Sequence, residues 1–458
     1  MKNNLYLIYI IISIFIVLIS ILLTVEMAKE YAHYFYFLQL LFFYLYLYKY
    51  KKTFLYFTPI LLLIFYVDFS FFLGNYALYN GIENIKLNYE NYLDWKYTNI
   101  LLFYTLFFNL ILFSIELFFI KKYLFILKNV EKKEINKYSL TFYISMAIFI
   151  FILFSFIPLD ITYLGGAGEL SYIPKAISAL IVIYILAYNK YKYRYLIYLF
   201  ILFLFATFSF DSKREVVFFI FPIILLETVL NSKIFYIKNL IYLLFSVIVV
   251  IFLIIVMSIL RGYGNYDVDN FFEALFYVYA YTNNEFFLMY FFKNIETSYT
   301  YFHSMQAMEY ILNDVDLITY GSTFIKFLFI TIPSSIIDFK PKSLIDIYTT
   351  LYDPEFRKIG GSWPPNIVAD FFWNFYYFSF IFAGIFFYII NLVFLKIISL
   401  CLSGKMIYQV WYLFFYMFLL VLYRGSGLDM FTVYLIFGIY FSFIYYLLFR
   451  LIQRRVYL

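Results

Sequence analysis

Apolar runs recur along this chain from one end to the other, and they limit its fold more than any other feature. They occupy residues 5–24, 31–48, 54–73, 98–120, 139–158, 172–188, 195–210, 216–230, 239–260, 377–398, 406–422 and 431–448. Most are about 17–25 residues long, enough for a helix to cross a hydrocarbon core of about 30 Å. A membrane β-barrel would instead alternate apolar and polar residues over short segments, and that alternation is absent. Hydrophobic residues make up 65% of the chain and charged residues 14%, too few to clothe a soluble protein of this size. The reading is an all-α polytopic membrane protein with about twelve transmembrane helices. The first run follows Met1-Lys2-Asn3-Asn4, as the core of a signal peptide would. It is longer than such a core, and Val25-Glu26-Met27 is a poor cleavage site, so it is read as a retained span.

Orientation follows from the basic residues. With the N-terminus inside, the inner loops carry Lys49, Lys51 and Lys52, then the cluster from Lys121 to Lys137, then Lys190, Lys192 and Arg194, and Lys233 and Lys238. Lys396, Lys405 and the terminal Arg450, Arg454 and Arg455 complete the pattern, which puts both termini in the cytoplasm. Outer loops are poorer in Lys and Arg: residues 159–171 contain none. Four basic residues break the rule. Lys213 and Arg214 sit in a short outer turn, Arg261 opens the outer segment, and Arg424 lies in another short outer turn. Each alone fits a snorkelling anchor. As a set on one side of the membrane in apolar surroundings they call for an anionic partner, because a charge near the membrane core costs about 2.5–3.5 kcal/mol.

The chain then divides into helices 1–9 over residues 1–260, a long outer segment over 261–376, and helices 10–12 over 377–458. The outer segment is rich in aromatics and has no Ser/Gly/Pro run, so it is not a linker. Its apolar stretches 271–292 and 324–337 are interrupted by polar residues and read as interfacial or re-entrant helices. Counting both as spans preserves the orientation and gives fourteen.

Four places carry chemistry. In Asp211-Ser212-Lys213-Arg214-Glu215 the two acids are spaced i, i+4; the stretch reads either as a phosphate grip by Lys213 and Arg214 or as a salt-bridged turn. Arg261-Gly262 combines a cation with a backbone that allows close approach, and reads equally as a stop anchor with a helix cap. The turn Gly360-Gly361-Ser362-Trp363-Pro364-Pro365 leads to Asp370 and Asn374 on one helix face, a pairing suited to sugar hydroxyls, with Asp370 as a general base or as a partner of the helix dipole. His303 is the one outward histidine and reads as a proton acceptor near neutral pH or as a surface or packed residue; His33, inside the second run, reads as structural. A single cysteine, Cys401, excludes an internal disulfide, and two distant histidines do not make a zinc site. There is no Walker loop, dinucleotide fingerprint, HExxH or outer Asp-x-Asp, so neither metal nor cofactor is expected, and no nucleic-acid partner.

Taken in order, these pieces resemble the O-antigen polymerase family, the repeat-unit polymerases of bacterial surface polysaccharides. The resemblance rests on Ser212-Lys213-Arg214-Glu215 at the head of a span, Arg261-Gly262 after the following span, the Gly360–Phe375 stretch ending in Asp370 and Asn374-Phe375, and Arg424-Gly425 before the last span. Asp370 stands where the family pattern has Glu, and Tyr376 where Asn-Phe-Gly has its glycine. The resemblance implies a GT-C-like fold in the cytoplasmic membrane and a metal-independent, inverting glycosyl transfer at its outer face. Undecaprenyl-diphosphate-linked oligosaccharide is the implied donor, a lipid-linked repeat unit the acceptor, and a chain-length regulator protein and membrane lipid the implied partners. It implies catalytic roles for Arg214, Arg261 and Asp370 and substrate contacts from Lys213, Glu215, Asn374 and Arg424; a catalytic role for His303 is read from the residue alone. The same residues fit an O-antigen ligase acting on lipid A core, or a flippase for the same lipid-linked glycan.

Overall fold

A computed structural model describes residues 4–49, 58–82, 95–128, 137–156, 172–208, 237–260, 262–268, 270–329, 340–401, 406–425 and 427–456, with 220, 222, 223, 226, 227, 332 and 336. It is all-helical, with no strand among the described residues. Four helical stretches there are long and apolar enough to cross a membrane: Pro59–Tyr79, Thr98–Phe119, Ile367–Leu400 and Met430–Leu447. Shorter apolar helices, among them Leu7–Leu22, Ile173–Tyr188 and Val410–Tyr423, stand with them. Every apolar run of the sequence falls on a described helix except the eighth, 216–230, most of which lies outside the described residues.

The first seven helices are α1 (Asn4–Leu22), α2 (Val25–Lys49), α3 (Pro59–Tyr79), α4 (Thr98–Lys128), α5 (Lys137–Phe156), α6 (Tyr172–Tyr188) and α7 (Arg194–Phe208). Next is α8 (Ile237–Leu260), and α16 (Ser379–Cys401), α17 (Met406–Tyr423) and α18 (Gly427–Val456) close the chain. Local chemistry sets their ends. Thr58 caps α3 by accepting from the Leu61 amide at 3.3 Å, and Pro59 fills the first helical position, so α3 starts later than the apolar run does. Within α7, Arg194 turns inward: it donates to Glu227 from Nε at 2.7 Å and from Nη2 at 3.1 Å, while Tyr195 and Tyr198 donate to the same carboxylate. A residue counted from sequence among the inner-loop basic residues is thus one half of a buried ion pair.

The segment over 261–376 is built of shorter helices where it is described. It contains α9 (Phe271–Thr282), α10 (Phe287–Ile295), α11 (Thr297–Asn313), the single turn α12 (Ser322–Ile325), α13 (Leu344–Tyr352), α14 (Pro354–Lys358) and α15 (Ile367–Phe375). The 271–292 stretch breaks at Asn283 and Asn284, as its polar residues suggest. Only Ser322–Phe329 of the 324–337 stretch and its approach is described as helical, and it is short. Helix α11 seats against α3 at Gly74, where a Cβ would lie 2.6 Å from the Thr297 carbonyl oxygen. Glycine is needed there for the approach, not for its φ. On the far side α16 exposes Ile381, Ile385 and Ile389 at every fourth position, a stripe that suits lipid.

Candidate functional site

The site forms where three chain segments distant in sequence meet. Between α17 and α18 the chain turns through Arg424 and Gly425. Gly425 has φ +90°, and a Cβ there would overlap the Pro365 carbonyl oxygen. That close approach inserts the Arg424-Gly425 turn into the turn over 359–366. The second turn is anchored in its own right: the Asn366 side chain caps α15 through the Val368 and Ala369 amides, and the Asn366 amide donates to Ser304 Oγ of α11 at 3.2 Å. Arg357 of α14 donates to the Gly361 carbonyl at 3.2 Å and pairs with Asp346. Burial pushes the Asp346 carboxyl up, but the Ser343 hydroxyl, Lys326 and Arg357 outweigh it and hold the group below its ordinary range.

The third segment is the junction of α10 and α11. Glu296 occupies it in a left-handed conformation at φ 63°, which a non-glycine residue adopts only when its surroundings fix it. Its carboxylate accepts from Arg424 Nη2 at 2.6 Å, with both side chains partly shielded. One turn earlier Lys293 lies over the Tyr263 ring at 5.9 Å. Together these residues, with Tyr299, Thr300, His303, Phe356, Ser362, Trp363 and Pro364, line a cavity of about 230 Å³.

His303 forms an inner wall. Trp363 stacks on it at 4.8 Å, Tyr352 meets it edge-on, and the ring is 1% exposed. Nδ1 lies 2.7 Å from the Tyr348 hydroxyl, and Nε2 is buried with no partner. Burial lowers the imidazole to about 3, so it is neutral at physiological pH and a weak proton acceptor in the unliganded protein.

Asp370 and Asn374 do share one face of α15, but neither lines this cavity. Asn374 Nδ2 donates to Asp370 Oδ1 at 2.9 Å. Its oxygen accepts from Thr319 Oγ1 at 2.8 Å, the Gly321 amide at 3.1 Å and Thr323 Oγ1 at 3.0 Å. The pair therefore ties the 319–323 turn to α15. Of the other residues singled out in the sequence, Lys213, Arg214, Glu215 and Arg261 lie outside the described residues, so only Arg424 and His303 are seen together. Sequence reasoning missed Lys293, Glu296 and Tyr299. The available signal was a Lys and a Glu three residues apart at the seam of two aromatic helical runs, seven residues before His303. Comparison with protein-family models, with curated proteins and with solved structures finds no match for this chain.

Proposed function

We propose that this protein polymerises lipid-linked oligosaccharide repeat units at the outer face of the cytoplasmic membrane, on a GT-C-like scaffold of twelve to fourteen spans. One observation carries the reading. Two of the four family-like pieces, the Arg424-Gly425 turn and the 360–366 turn, lock into each other and border a single cavity that holds Arg424, Glu296 and His303.

In this reading the acceptor sugar's hydroxyl oxygen bonds to the donor's anomeric carbon as the bond from that carbon to the diphosphate breaks. Undecaprenyl diphosphate leaves with the electron pair. Arg424 stabilises the charge that grows on it, as a preorganised donor does in other sites. The diphosphate takes the place of Glu296 on Arg424, and the freed Glu296, the one carboxylate lining the described cavity, takes the hydroxyl proton. Asp370 and Asn374 act from outside the cavity by fixing the helix that follows the Pro365 turn.

Arg424→Ala tests this in cells that require the protein for a surface polysaccharide. Polymer synthesis should fall by about 10²–10³-fold, with single repeat units accumulating on the lipid carrier. Polymer of normal amount and length would reduce Arg424 to an anchor and remove the proposal.

A further inference from the structure

Away from this cavity, α2, α3, α4 and α16 enclose ionisable and polar side chains in three tiers. Asp68 lies midway along α3 with no solvent exposure, and Glu116 lies on α4 likewise. Both belong to the stretches Pro59–Tyr79 and Thr98–Phe119, which are apolar enough to span a membrane. In the middle tier Asn109 Nδ2 donates to Asp68 Oδ1 at 2.7 Å. The Gln39 carboxamide, with its nitrogen turned toward Asp68, reaches both carboxyl oxygens at 2.9 and 3.0 Å. In the tier nearer the Lys-rich end of α4, Asn391 Nδ2 donates to Glu116 Oε2 at 3.1 Å, while Glu116 Oε1 is sealed from solvent without a partner. In the opposite tier His33 Nδ1 lies 2.9 Å from Asn75 Oδ1, and Asn75 Nδ2 donates to the Tyr301 hydroxyl at 3.2 Å.

The tiers align. On α4, Thr98, Thr105, Asn109 and Glu116 follow one another at close to whole helical turns, so they share a face that covers about 27 Å of rise. All four are buried. The buried hydroxyls of Tyr36 and Thr105 stand between the His33 and Asp68 tiers. The Tyr9 ring of α1 lies against Phe113 with centroids 3.8 Å apart, and Phe113 stands between Asn109 and Glu116 on α4. Tyr9 and Tyr36 are the ionisable groups facing Asp68; Thr58 and Asn391 face Glu116, and among the described residues no cation pairs with either carboxyl.

Carboxamides and hydroxyls suffice to join helices inside a membrane. Two carboxyls without a cation partner among the described residues are costly for that purpose, and acids so placed commonly carry protons. We propose that this protein holds a proton path through α2, α3, α4 and α16, with Asp68 and Glu116 as the groups that take up and release the proton. The idea is independent of the glycosyl-transfer reading, since none of its residues lines the Arg424 cavity.

Purified protein in vesicles with a pH-sensitive dye inside, under an inside-negative potassium diffusion potential, tests it. Wild-type protein should acidify the lumen faster than protein-free vesicles, and Asp68→Asn and Glu116→Gln should each slow that flux by about tenfold or more. The amides keep the shape and one acceptor oxygen, and the Gln39 carboxamide can turn its own oxygen toward the new amide nitrogen at residue 68, so the variants should melt with the wild type. Wild-type flux equal to that of empty vesicles, or undiminished flux in both variants, would overturn the path and leave these residues as helix contacts.

Discussion

His303 carries a pH dependence whose sign follows from its burial. The imidazole is held near 3 in the folded protein against an ordinary value near 6.5, so between those values the unfolded chain binds a proton that the folded chain does not. Stability from this group is complete above about pH 6.5 and declines by about 1.4 kcal/mol per unit as pH falls toward the folded value. His303→Gln should remove that slope. Comparing thermal unfolding of the two proteins from pH 7.5 to 5, the wild type should lose about 2 kcal/mol more than the variant. Parallel profiles would mean the imidazole protonates in place. From sequence, His303 read as a proton acceptor or as a surface or packed residue. What buries it is its company, Tyr348, Tyr352 and Trp363, which approach from 45 to 60 positions along the chain and leave no local pattern around residue 303. Arg424 was legible because a cation in a short turn between two apolar runs is costly wherever its partner sits. Its partner Glu296 was not, since its importance arises from the contact itself.

At the scale of turns, two glycines with similar backbones separate conformational strain from close approach. Gly360 has φ +85° and open space where a Cβ would point, whereas Gly425 at φ +90° faces the Pro365 carbonyl. Alanine at either position costs about 1–3 kcal/mol for the left-handed conformation. Only at Gly425 does overlap add about another 1–3 kcal/mol, because the two turns must separate. Gly425→Ala should therefore melt clearly below Gly360→Ala in detergent, and equal melting would show that the turns do not rely on contact at residue 425. Helices were read well from sequence where apolar length alone decides them, as for 172–188, which the structure reproduces as α6. Their ends were read less well where a cap or proline decides. Thr58 and Pro59 delay α3, whereas the break at Tyr376, φ 47°, falls beside the start of the 377–398 run. How the outer helices pack could not be read, because the glycine that admits α11 against α3, Gly74, resembles a loop residue in sequence.

For the whole molecule, whether the Lys213-Arg214 turn shares a side with Arg424 depends on the eighth apolar run, 216–230, most of which lies outside the described residues. Between Lys192 and Asn283 the sequence has three apolar runs, 195–210, 216–230 and 239–260. If all three cross, those two residues face opposite sides; if the eighth does not, they face the same side. The positive-inside bias favours three crossings, since Lys233 and Lys238 then join Lys190 and Lys192 in the cytoplasm. Lys192 and Asn283 are both exposed, which makes them sound positions for a probe. In a Cys401→Ser background, Asn283→Cys should react with a membrane-impermeant maleimide on intact cells, and Lys192→Cys only after permeabilisation. Labelling of both from one side would remove a crossing and move Lys213 and Arg214 to a different relation with Arg424. A site shared by these cations at the outer face requires the odd count, so this experiment bears on the proposed chemistry as directly as a substitution within the cavity.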